Sequence, residues 1–143
     1  LRGKKQWVHR ANKKRSSNSD SGKIDLIQTH LENLGYHTFR ETTISNANFS
    51  TKNHIRVPDL KVEVGKFECY LELDGAVHGN LESPTEKTVR RNTDYEVAHM
   101  NYIILSEEDA KFFKLDIADL AAYRINEEYS KHLAKMNGGL LFV

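Results

Sequence analysis

The chain has 143 residues, of which 38% are hydrophobic and 29% charged, the size of one compact domain with a tail and enough apolar material for a core. No apolar run approaches the ~20 residues that cross a bilayer, and the basic N-terminus lacks the apolar stretch of a signal peptide. A single cysteine, Cys69, excludes an intramolecular disulfide and a cysteine-rich zinc cage and so permits a reducing, intracellular compartment, and a soluble chain with no membrane partner is expected.

The formal net charge of +1 hides an asymmetry. Residues 1–15 carry seven Lys and Arg and no acid, which leaves fourteen basic against all twenty acidic side chains in the other 128, a net of −6. Residues 1–22 therefore read as a basic, flexible arm, with residues 16–22 as a polar hinge. Lys4, Lys5, Arg10, Lys13, Lys14 and Arg15 are candidates for contacting a nucleic acid, and Trp7 and His9 among them supply rings that stack on exposed bases. The competing reading of the arm is a solvated tail.

The folded body is expected over residues 23–143 as one α/β domain. Ile24, Ile27, Leu31 and Leu34 recur at helical spacing between a Ser21 N-cap and a Gly35 stop. Residues 36–44 mix aromatic and β-branched side chains into a strand, and residues 46–53 are a polar loop. Alternation from Asp59 to Val64, a Gly65-Lys66 turn and alternation again over residues 67–73 predict a hairpin. Pro84 opens a helix to about residue 99, with Val89, Val97 and Met100 toward its inner side. Residues 102–105 form a short strand, and Ser106 caps a helix that begins Glu107, Glu108, Asp109. A last helix covers about residues 115–136, with Leu120, Ile125, Tyr129 and Leu133 inward, and stops at Asn137-Gly138-Gly139. This order predicts a mixed sheet flanked by helices.

Chemistry concentrates in the hairpin. With a period of two, Tyr70, Glu72 and Asp74 share one face of their strand, and Asp59, Lys61 and Glu63 share the matching face of the strand before it. In-register pairing then brings Asp59 toward Glu72 and Asp74. Acids gathered in this way repel one another, and a hard divalent cation with oxygen ligands, Mg²⁺ or Mn²⁺, is their usual stabiliser. The competing reading is a solvated sheet face with cross-strand pairs such as Lys61 with Glu72.

The wording around these acids, Arg56-Val57-Pro58-Asp59 and then Leu71-Glu72-Leu73-Asp74-Gly75 with His78, resembles the PD-(D/E)XK nuclease superfamily, most nearly its small members related to very short patch repair endonucleases. The likeness extends more loosely over residues 21–105. It implies a restriction-endonuclease-like fold and a Mg²⁺-dependent endodeoxyribonuclease of the kind carried by phages and mobile elements. It also implies Asp59, Glu72 and Asp74 as catalytic and metal-binding acids. Asp74 stands where the superfamily has Lys. Proton transfer then falls to His78, since histidine titrates near neutral pH, or Lys61 supplies the charge, or the site is inactive.

Asp25 and Glu32 on the first helix are possible accessory acids, and Lys87 and Arg91 on the helix after the motif are assigned to phosphate contacts. DNA is the expected partner, with a homodimer formed through the C-terminal helix. The competing function is a catalytically inactive nucleic-acid-binding module with a nuclease-like fold. A third is an interaction domain that dimerises through its last helix.

Overall fold

The computed structural model describes residues 20–74 and 85–137. Their elements, in chain order, are α1 (Asp20–Asn33), β1 (His37–Phe39), β2 (Ile44–Ser45), β3 (Ile55–Arg56), β4 (Leu60–Val64), β5 (Phe67–Asp74), α2 (Glu86–Val97), β6 (Tyr102–Ser106), α3 (Glu107–Phe113) and α4 (Ile117–Met136). Four strands form a mixed sheet in the order β1-β4-β5-β6, and β2 and β3 make a separate two-stranded ribbon. β4 is antiparallel to both β1 and β5, whereas β5 and β6 are parallel. A parallel pair needs a crossover, which α2 supplies. Among the described residues no helix is long and apolar enough to cross a membrane.

Alternation in the hairpin decides which face is core. Leu60 and Val62 on β4, Cys69, Leu71 and Leu73 on β5, and Ile103 and Leu105 on β6 pack against Ile24, Ile27 and Leu31 of α1 and Leu120, Ala121 and Ile125 of α4. Each Leu, Ile and Val among them contributes roughly 1.5–3 kcal/mol on leaving water. Gly65 closes the hairpin at φ +56°, a conformation that costs little without a Cβ. Cys69 lies in this core, where burial pushes its thiol up to about 12.

Several expectations are corrected. Asp20 to Gly22 already form the first turn of α1, with Gly22 buried, so Ser21 is inside the helix rather than its N-cap and the body begins before residue 23. Leu34 lies past the helix end and is exposed. The single strand over residues 36–44 is two short ones, because Glu41 adopts a left-handed φ of 58° and sends the chain from the main sheet to the ribbon. The polar loop after β2 hides Phe49, buried at 2% exposure. α4 buries Ile117, Leu120, Ala121 and Ile125 and packs Tyr129 against the core, but it leaves Leu133 exposed. Ser106 does cap α3, its Oγ accepting from the Asp109 amide at 3.2 Å.

The largest departure is in α2. Thr85 caps it, accepting from the Thr88 amide. The helix then turns Thr88, Arg91, Asp94 and Tyr95 inward and leaves Val89 and Val97 about half exposed, at 48% and 49%. The cause lies in the sheet. α2 covers the face that carries Glu72 and Asp74, and a polar sheet face is better matched by donors than by valines.

Candidate functional site

Pro58 is buried and leads the chain into β4, placing Asp59 one residue before the strand. The register pairs Leu60 with Leu71 and Lys61 with Tyr70, and continuing it by one residue sets Asp59 opposite Glu72. The two acids are laced across the strands. The Asp59 amide donates to Glu72 Oε1 at 3.0 Å, and the Leu73 amide donates to Asp59 Oδ2 at 2.7 Å. Where the ladder of backbone hydrogen bonds runs out, each carboxylate satisfies a main-chain donor of the opposite strand.

Burial grades across the site. Asp59 is exposed, Asp74 is partly covered, and Glu72 is buried at 7% exposure. Arg91 reaches in from α2, itself 7% exposed. Its Nη1 donates to Asp74 Oδ1 at 2.9 Å and lies 3.2 Å from Glu72 Oε2, while Nη2 donates to Asp74 Oδ2 at 3.3 Å. This is a bidentate fork on one acid with an arm shared to the next. Asn92 Oδ1 holds the guanidinium from behind, accepting from Nε at 3.1 Å and Nη2 at 3.0 Å.

Two acids, Glu72 and Asp74, thus share one arginine, with Asp59 laced to Glu72 beside them. Burial pushes the Glu72 carboxyl up to about 7, with repulsion from Asp59 next in weight. Arg91 and the Asp59 amide pull the other way, and Asp74 adds repulsion. The Tyr95 hydroxyl is likewise raised, first by burial and then by the Glu72 charge.

A second buried acid belongs to this helix itself. Asp94 accepts from the Ser50 amide at 2.9 Å, from Ser50 Oγ at 3.0 Å and from Arg56 Nε at 2.9 Å, with Arg56 Nη2 at 2.7 Å. Burial works against its charge, but these hydrogen bonds hold its carboxyl below the usual value. Arg56 is two residues before Pro58, so this clamp fixes the chain that delivers Asp59.

The structure brings Asp59, Glu72 and Asp74 to one end of the hairpin, as the register predicts. Other candidates fall elsewhere. Arg91, expected to contact phosphate, is turned inward onto carboxylates and has no exposed fork to offer. Lys61 pairs with Glu63 at 3.0 Å and Glu68 at 3.6 Å, toward the far end of the hairpin, and not with Glu72. Asp25 pairs with Arg40, and Glu32 accepts from the Thr38 hydroxyl, so the accessory acids of α1 are engaged locally. Lys87 is exposed on α2, as a phosphate contact requires. His78 and the arm residues Lys4, Lys5, Arg10, Lys13, Lys14 and Arg15 lie outside the described residues.

The apolar pattern of α2 gave no sign of Arg91, Asp94 or Tyr95. A signal was present in the spacing of Thr88, Arg91 and Tyr95, three and four residues apart, which puts a cation on the face that must meet Glu72 and Asp74.

In comparisons with known proteins, the chain matches no family model, no curated protein and no solved structure.

Proposed function

We propose that this chain is a metal-dependent endonuclease that hydrolyses DNA phosphodiester bonds, a PD-(D/E)XK nuclease with a restriction-endonuclease-like sheet. The observation that carries the reading is the lacing of Asp59 to Glu72 across β4 and β5, which fixes two carboxylates side by side at the solvent edge of a buried acidic site.

The donor set favours a hard cation, though a small one. Among the described residues no three His, Cys, Asp or Glu side chains converge as a metal cage. Asp59 and Glu72 are the pair that would hold an ion, with Asp74 turned to Arg91. Their chemistry fits, because two neighbouring carboxylates offer hard oxygen donors and the acids of the site outnumber its one arginine. A divalent ion, when bound, would neutralise charge on the phosphoryl oxygens and lower the pKa of a water beside it.

The protein's own groups do the rest. Asp59, exposed, faces the substrate side, while Glu72 anchors the site from within. Arg91 fixes the orientation of Asp74, whose carboxylate can align a water. His78 is the proposed proton-transfer group in place of the superfamily's Lys. Lys87 and the arm cations would draw in the phosphate backbone, and a second copy docked on α4, where Tyr123, Leu133 and Met136 are exposed, would supply the site for the other strand.

The test is nicking of supercoiled plasmid and of branched DNA in Mg²⁺ and Mn²⁺. Asp59→Ala and Glu72→Ala should each lower the rate by about a hundredfold or more, roughly 2.7 kcal/mol of transition-state stabilisation. Removing residues 1–19 should weaken binding and flatten its dependence on salt. The engagement of both Asp74 oxygens by Arg91 favours the second reading, an inactive nucleic-acid-binding module. Binding without cleavage at any divalent ion would assign it.

A further inference from the structure

We propose that Arg91 is a resident counter-ion that competes with the divalent cation for the acidic site, holding the acids together in its absence and weakening its binding. This rests on the metal-dependent reading above. Arg91 is buried, forks onto both oxygens of Asp74 and lies 3.2 Å from Glu72 Oε2. Tethered by Asn92 on its own helix, the guanidinium stays where it is needed without solvent or a ligand to position it.

Formal charge follows directly. Asp59, Glu72 and Asp74 sum to −3 when ionised, and Arg91 leaves −2, the charge that one divalent ion balances. An ion held by Asp59 and Glu72 would lie close to the Arg91 guanidinium, because Nη1 is 3.2 Å from Glu72 Oε2. Like charges this close in a site of low dielectric repel strongly. The guanidinium therefore lowers affinity for the ion, and in exchange the ion-free site is spared an unpaired buried Glu72 beside a partly covered Asp74.

The test uses the full chain, titrated with Mn²⁺ by calorimetry, with thermal unfolding followed in EDTA and in Mn²⁺. Arg91→Gln should bind Mn²⁺ roughly tenfold tighter than wild type, the direction set by removing a like charge. It should melt lower than wild type in EDTA and gain more on adding Mn²⁺. Folding only when Mn²⁺ is present is the extreme form of the same result. Asn92→Ala frees the guanidinium without touching an acid and should tighten Mn²⁺ binding by about threefold. This second variant decides the matter if Arg91→Gln folds under neither condition. Unchanged or weaker Mn²⁺ binding in Arg91→Gln, or in Asn92→Ala when only that variant folds, overturns the role of Arg91 alone. Absence of Mn²⁺ binding in wild type and variants alike removes the metal-dependent reading itself, and this role with it.

Discussion

Glu72, beneath α2, and Asp94, on its inner face, are both buried and both face an arginine, yet their carboxyls move in opposite directions. Asp94 receives two hydrogen bonds from Ser50 and a two-pronged contact from Arg56, and its charge is stabilised. Glu72 receives one backbone amide and a share of an arginine already committed to Asp74, and it has two acids beside it. The first is a satisfied clamp that sets the path of the chain. The second is left short of positive charge, which structural ion pairs avoid and reactive sites exploit. Burial and an arginine neighbour alone would not tell them apart; the count of donors does.

The sharpest way to break the contrast is to remove each acid. Asp94→Ala should cost about 3–5 kcal/mol, because it strands Arg56 in a partly buried setting, and urea unfolding followed by circular dichroism would measure it. Next in size is the pH dependence of the metal-free chain. Between pH 4.5 and about 7 the folded chain keeps a proton on Glu72 that the unfolded chain has released. Stability should therefore fall as pH rises through that window, by on the order of 3 kcal/mol, and be highest below it. Asp94 acts with the opposite sign, contributing stability above the ordinary value of 3.8 and losing it only as pH falls lower.

Glu72→Gln should accordingly stabilise the metal-free chain at pH 8 by about 1–2 kcal/mol, the ionisation cost less one hydrogen bond, and flatten the profile between pH 5 and 7. A destabilised Glu72→Gln with an unchanged pH profile would show that the acid is paired as well as Asp94 is. The smallest effect expected is Ser50→Ala, about 1 kcal/mol in the same urea assay, since Arg56 and the residue 50 amide still hold Asp94.

The hairpin was legible because alternation fixes faces once register is set, and Gly65 sets it; Asp59, Glu72 and Asp74 follow from that alone. α1 and the Ser106 cap were legible from local spacing. The orientation of α2 was not. A helix is read by assuming that its apolar side goes in, and this one packs on a sheet face lined with acids, so Thr88, Arg91, Asp94 and Tyr95 win over Val89 and Val97. Phe49 was hidden for a related reason, being one aromatic in a polar loop whose anchoring depends on distant elements. The split between β1 and β2 turns on partners far apart in the chain, which composition over residues 36–44 does not encode.

Cys69 has a practical consequence. The chain's one sulfhydryl sits sealed in the core with its deprotonation suppressed, so maleimide reagents and mild oxidants should pass it by. A cysteine introduced on the surface, at Lys87 for example, would then be the sole attachment point for a fluorophore or spin label. Motions of α2 relative to a second label become measurable with no background to engineer away.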